Sequence, residues 1–96
     1  MIRVFICYNP FSGRGKACNM AYAIAEQFVK ITCDIEIIAT QAGDPRKWLE
    51  PKLESQPDAV IVVGGDGTLR QVATVLVSTS IPVYHAGSGT ENLFAK

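Results

Sequence analysis

The stretch that most limits what this chain can become is "AVIVV", residues 59–63, followed at once by "GGDGT", residues 64–68. A strand with one face in water alternates apolar and polar side chains. A strand without that alternation is covered on both faces, as inside a parallel sheet. "IRVFICY" (2–8) has the same β-branched and aromatic character, and "DIEIIAT" (34–40) and "IPVYH" (81–85) supply two further strands. Between the strands the period changes to that of a helix. Ala17, Met20, Ala21, Ile24, Ala25, Phe28 and Val29 form one apolar face, and Leu69, Val72, Ala73, Leu76 and Val77 form another. In "QAGDPRKWLE" Asp44 is placed to cap a short helix that begins at Pro45, and Pro51 should end or kink it. Thr68 is expected to cap the helix after the third strand, and Ser88 with Glu91 has capping-box spacing for a last one. This alternation predicts an α/β fold, an open parallel sheet with helices on both faces and right-handed crossovers. Strand order 2-1-3-4 is expected, because it makes strands one and three neighbours and sets their glycine-rich loops at the switch point.

Length and charge narrow the function classes. Ninety-six residues with a 48% hydrophobic fraction suit one domain with a real core. Nine basic and nine acidic residues cancel, so no broad field favours nucleic acid or an anionic membrane. No apolar run approaches the roughly 20 residues of a membrane span. The strand-like "IRVFICY" directly after Met1 lacks the basic flank and cleavage site of a signal peptide. Cys7, Cys18 and Cys33 form no C-x-x-C pair, which predicts reduced, packed thiols of a cytoplasmic protein and no zinc site. A last helix from Glu91 would have only the residues up to Lys96, so the chain is expected to be cut from something longer.

Three glycine-rich loops leave the carboxyl ends of strands and precede helices: residues 9–15, 64–68 and 87–90. A helix N-terminus offers free N–H groups and partial positive charge, and glycine lets phosphate oxygens reach them. One such loop is as well explained by turn geometry. Three together, with Ser or Thr hydroxyls beside the glycines, favour a phosphate-binding edge. "FSGRGKA" is not a Walker A loop, since the first glycine and the Ser/Thr after Lys16 are missing. Cys18 stands where a dinucleotide fingerprint would carry its third glycine, and Asn9-Pro10 where a phospho-acceptor domain would carry acids. Asp66 has two readings. It would repel phosphate unless Mg²⁺ or a substrate proton compensates, or it accepts a hydrogen bond that only shapes the turn. His85 reads as the polar end of a strand, and Arg14 and Lys16 as solvated loop cations.

Taken together, "NPFSGRGKA", "VVGGDGTLRQV" and "GSGTENLFAK" resemble the catalytic domain of the diacylglycerol kinase family, which includes bacterial lipid kinases, sphingosine kinases and ceramide kinases. The resemblance covers nearly the whole chain. G-G-D-G-T is shared with NAD kinases and, as a close variant, with phosphofructokinases; the N-P-x-S-G loop separates the lipid kinases from them. The resemblance implies that residues 1–96 are a single nucleotide-binding domain of the NAD kinase/diacylglycerol kinase type, with ATP and Mg²⁺ as ligands. Asn9, Pro10, Ser12 and Gly13 match its first nucleotide loop, and Thr40 a threonine at the end of strand two. Gly64, Gly65, Asp66, Gly67 and Thr68 match the loop over the phosphates, and Thr90 and Asn92 match G-T-x-N. Asp66 corresponds to an aspartate tied to Mg²⁺ and phosphoryl transfer, directly or through water, and in some relatives assigned as the base. Arg70, Gly87 and Glu91 depart from the family's usual asparagine, proline and glycine.

Family members continue into a β-sandwich domain that helps form the cleft and holds the lipid. The implied activity is therefore transfer of the ATP γ-phosphoryl group to a diacylglycerol-like hydroxyl by the full-length protein, with this half inactive alone. Membrane contact is expected to be peripheral at most, at the inner face, and self-association is expected from apolar surface left uncovered. An NAD-kinase-like phosphotransferase and a non-catalytic nucleotide-binding module are the alternatives.

Overall fold

The computed structural model describes residues 2–11, 15–31 and 33–86. Within them, strands β1 (Ile2–Tyr8), β2 (Cys33–Ala39), β3 (Ala59–Val63) and β4 (Val83–Ala86) alternate with helices α1 (Lys16–Val29), α2 (Pro45–Leu49) and α3 (Asp66–Leu76). A 3-10 segment, Glu50–Ser55, continues α2. The strands form one parallel sheet in the order β2-β1-β3-β4, as the loop argument required. Val4 lies opposite Ile35 on one side and Ala59 on the other.

Both faces of the sheet are covered, and successive residues of a strand serve opposite faces. Val4, Ile6, Ile61 and Val63 pack with Ala17, Ala21, Ile24 and Ala25 of α1. Phe5, Cys7, Val60 and Val62 pack with Trp48 and Leu49 of α2 and Val72, Val75 and Leu76 of α3. The chain moves one way across the sheet through α1 and the other way through α2 and α3. Right-handed crossovers therefore place α1 on one face and the other two helices on the opposite face. Phe5, Ile6, Leu49 and Leu76 are fully buried, each stabilising the fold by about 1.5–3 kcal/mol relative to exposure.

Several boundaries differ from the sequence expectation. Val29 and Val77 are 62% and 81% exposed, and Val75 takes the core place that Val77 was expected to fill. Each residue turns the helix by about 100°, so Thr68, Val72 and Val75 share a stripe that leaves Val77 on the far side. Pro51 ends the α-helix as expected: α2 stops at Leu49 and the 3-10 segment takes over, because Pro51 has no N–H to continue the α pattern. Strand β4 starts after Pro82, whose carbonyl still accepts from the Val60 N–H at 3.0 Å. Asp44 caps α2 as expected, its Oδ1 accepting from the Arg46 N–H at 3.0 Å. Ser88 and Glu91 lie outside the described residues. Burial, with Glu36 nearby, pushes the Cys7 thiol from its ordinary 9.0 up to about 12, so it stays protonated and unreactive. No helix among the described residues is long and apolar enough to cross a membrane.

Candidate functional site

At the carboxyl edge of the sheet the backbone ladder runs one step beyond the strands. The Thr40 N–H donates to the Tyr8 carbonyl at 2.8 Å, the Asn9 N–H to Val63 at 3.4 Å, and the Gly64 N–H to Ala86 at 3.0 Å. These bonds set Thr40, Asn9 and Gly64 in one row. The Asn9 Oδ1 accepts from the Phe11 N–H at 2.9 Å, an Asx turn that carries the chain through Pro10. With its oxygen used in this way, Asn9 has an NH₂ donor left for a ligand, which suits an anion.

The turn after β3 is built on glycine for a definite reason. Gly64 has φ +154°, and a Cβ placed there would sit 2.9 Å from Thr68 Oγ1. Gly65 is the N-cap of α3. Its carbonyl accepts the first helical bond, from the Leu69 N–H at 3.1 Å, and no side chain caps it. Thr68 is therefore not the cap. The helix begins two residues earlier, at Asp66, and Thr68 lies in its first turn, 4% exposed. The side chain that a capping role would have turned back to the helix start is drawn instead onto the core stripe, over Gly64. The first N–H groups of a helix have no intrahelical acceptor, and they gather partial positive charge. Asp66, exposed in that first turn, interacts favourably with it.

A depression of about 430 Å³ opens here, lined by Asn9, Gly65, Gly67, Thr68 and Gln71. Its lining residues can donate hydrogen bonds through backbone N–H groups, two side-chain amides and a hydroxyl, and none is a carboxylate. That chemistry fits an anion. Asp66 sits between two lining glycines without lining the depression itself; Pro10, Thr40 and Gly64 lie outside its walls. Gln71 was not singled out from sequence, where a polar residue inside a helix reads as solvated. Its signal was the spacing of three from Thr68 and four from Gly67, which puts all three on one helical face. Ser12, Gly13, Thr90 and Asn92 lie outside the described residues. Among the described residues no three His, Cys, Asp or Glu side chains cluster closely enough to hold a metal ion.

The family model for the diacylglycerol kinase catalytic domain matches residues 3–96. The chain belongs to that family. A diacylglycerol kinase of Mycobacterium tuberculosis (strain CDC 1551 / Oshkosh) is 37% identical over 89 residues, covering 92% of this chain and 29% of that protein. A ceramide kinase of Oryza sativa subsp. japonica is 32% identical over 82 residues, covering 81% of this chain and 13% of that protein. Among solved structures, a putative diacylglycerol kinase from Bacillus anthracis str. Sterne superposes with a TM-score of 0.70 at 29% identity, over 94% of this chain and 33% of that one. This diacylglycerol kinase-family chain thus spans a third or less of the length of these relatives.

Proposed function

We propose that this chain is the ATP-binding half of a lipid kinase, and that the protein carrying it transfers the γ-phosphoryl group of ATP to a hydroxyl of a diacylglycerol-like lipid. The observation that carries this reading is the donor-lined depression at the start of α3, beside the Asn9 turn, in a chain of lipid-kinase family. Phosphoryl transfer asks a protein mainly for positioned phosphates, charge neutralisation and an aligned acceptor. The N–H groups of Gly65 and Gly67, the Asn9 and Gln71 amides and the Thr68 hydroxyl would hold the phosphates. Gly64, with no Cβ, allows the turn to close on Thr68.

Asp66 is the one carboxylate of this turn. A single carboxylate fits Mg²⁺, which binds through one or two carboxylates with the remaining sites taken by phosphate oxygens and water. Such an ion neutralises charge on the transferring group. Asp66 would hold it directly or through water, or take the proton of the incoming hydroxyl. Ser12, Gly13, Thr90 and Asn92 are proposed to complete the nucleotide site. The acceptor's wall and any contact with a membrane surface would come from outside residues 1–96. The names borne by the mycobacterial and rice relatives support a lipid acceptor.

Two measurements test the reading. MgATP titrated into the isotopically labelled chain should shift the Gly65 and Gly67 amides and the Asn9 and Gln71 side-chain amides. The full-length protein, given γ-labelled ATP with diacylglycerol and NAD together, should label the lipid. Absence of any amide shift removes the nucleotide site, and label appearing on NAD replaces the lipid acceptor with a soluble one.

A further inference from the structure

We infer that His85 is a positioning residue for the anion cradle, holding the peptide between Gly64 and Gly65 so that the Gly65 N–H faces the depression. The inference rests on the nucleotide reading for the identity of the anion, but its geometry stands apart from it. His85 Nε2 lies 2.8 Å from the Gly64 carbonyl oxygen. The same strand, β4, also accepts the Gly64 N–H through the Ala86 carbonyl at 3.0 Å. Both polar groups of Gly64 are thus gripped from one side. A carbonyl oxygen only accepts, so Nε2 must carry a hydrogen, as the Nε2–H tautomer or as imidazolium.

Why should this peptide need holding? It is flanked by glycine on both sides, at φ +154° for Gly64 and −87° for Gly65. Neither residue has a Cβ to restrict rotation about it. In a planar trans peptide the carbonyl and the following N–H point in opposite directions. With the Gly64 carbonyl drawn toward β4, the Gly65 N–H is turned away from β4, and Gly65 lines the depression. A flipped peptide would present an oxygen to the phosphate and repel it. Among the described residues no backbone carbonyl accepts from the Gly65 N–H, so a bound anion would supply that acceptor.

The test uses the ¹⁵N-labelled chain with inorganic triphosphate as probe, in wild type, His85→Gln and His85→Leu. The imidazole spectrum of the free wild type should show a protonated Nε2 at neutral pH. A bare Nε2 with the proton on Nδ1 overturns the inference before any ligand is added. One hydrogen bond of this kind changes affinity by about three- to tenfold, so His85→Leu should weaken triphosphate binding by that factor and erase the ligand-induced shift of the Gly65 amide. His85→Gln, which keeps an N–H donor at similar reach, should recover most of both, with all three melting curves close together. Equal affinity in His85→Leu overturns the inference, as does a loss that Gln fails to recover, since that would assign the effect to bulk. If wild type takes up no triphosphate, the nucleotide reading fails on its own. The free-state Gly65 amide then decides for His85: a shift and exchange rate unchanged in His85→Leu would show that the imidazole holds nothing.

Discussion

The two ends of the sheet are finished in different ways. At the amino edge one residue ties three elements together. Arg3 Nε donates to Asp34 Oδ2 at 3.0 Å, its Nη1 to the Ser55 carbonyl at 2.6 Å, and its backbone N–H to Asp58 Oδ2 at 2.8 Å, while the Asp58 N–H returns a bond to the Arg3 carbonyl at 2.7 Å. At the carboxyl edge, the side-chain bonds of Asn9 and Asp44 among the described residues reach no farther than two residues along the chain, to Phe11 and Arg46. Among the described residues, His85 alone reaches across that edge with a side-chain hydrogen bond. The amino edge is closed by side chains and holds the strands. The carboxyl edge keeps short side chains and unspent backbone donors, which is what a ligand made of oxygens requires.

The comparison can be broken at either end, and the largest expected effect is at Asp66. In the full-length protein Asp66→Asn should lower turnover by about 10² or more, the scale for losing a key electrostatic or acid–base group, with the melting temperature nearly unchanged. Near-normal turnover would make Asp66 a turn residue. Gly64→Ala should cost about 1–3 kcal/mol of stability in urea unfolding, because the new Cβ meets Thr68 Oγ1 at 2.9 Å on a backbone with φ +154°. A smaller loss would mean that Thr68 gives way. Arg3→Met keeps the apolar stem and removes the guanidinium. Its cost should be about 1–2 kcal/mol, mostly from the orphaned Ser55 carbonyl, since the pair with Asp34 is more than 40% exposed on both sides and exposed pairs contribute little. Triphosphate affinity should not move, and a change in it would deny that the two edges work separately. Smallest is Gln56→Gly. Gln56 ends the 3-10 segment at φ +54°, and relief of that left-handed strain, partly offset by glycine's freedom in the unfolded chain, should stabilise by about 0.5 kcal/mol.

The unalternating "AVIVV" and the loops behind it made the sheet and its order legible, because a strand covered on both faces has few places to go. Helix faces were harder at their flanks. Val77 is apolar and follows Leu76 directly, so it reads with the stripe, but it lies about 140° round the helix from Val72, whereas Val75 lies about 60° away and packs in the core. Thr68 misled for a related reason. A threonine after glycines looks like a cap, yet a glycine can occupy the N-cap and release the threonine to the core. The glycine turn itself was legible as the break between β3 and α3, and its composition, richer than a turn needs, is what motivates the proposed ligand role. Gln71 and the contact of His85 with Gly64 were not legible. The first reads as one more solvated polar residue of a helix, beside Arg70, and the second joins residues 21 apart in sequence, where no local pattern reports on it.

The covering of both faces has a further consequence, for alignment. Val4, Phe5, Ile6 and Cys7 are all buried, at 0–2% exposure. In a sheet with one wet face, sliding a strand by one residue sends its apolar side chains into water, and that penalty sets the register. Here the same slip of β1 against β3 would only exchange one buried set for the other, with no apolar group reaching solvent. Hydrophobicity does not say where β1 stops. The reciprocal bonds between Arg3 and Asp58 do, because both would break together. A one-residue slip would also carry Asn9 about 3.3 Å along the strand away from the glycine turn, separating two walls of the depression. The dimensions of the depression are thus fixed by a polar index mark at the opposite end of the strands.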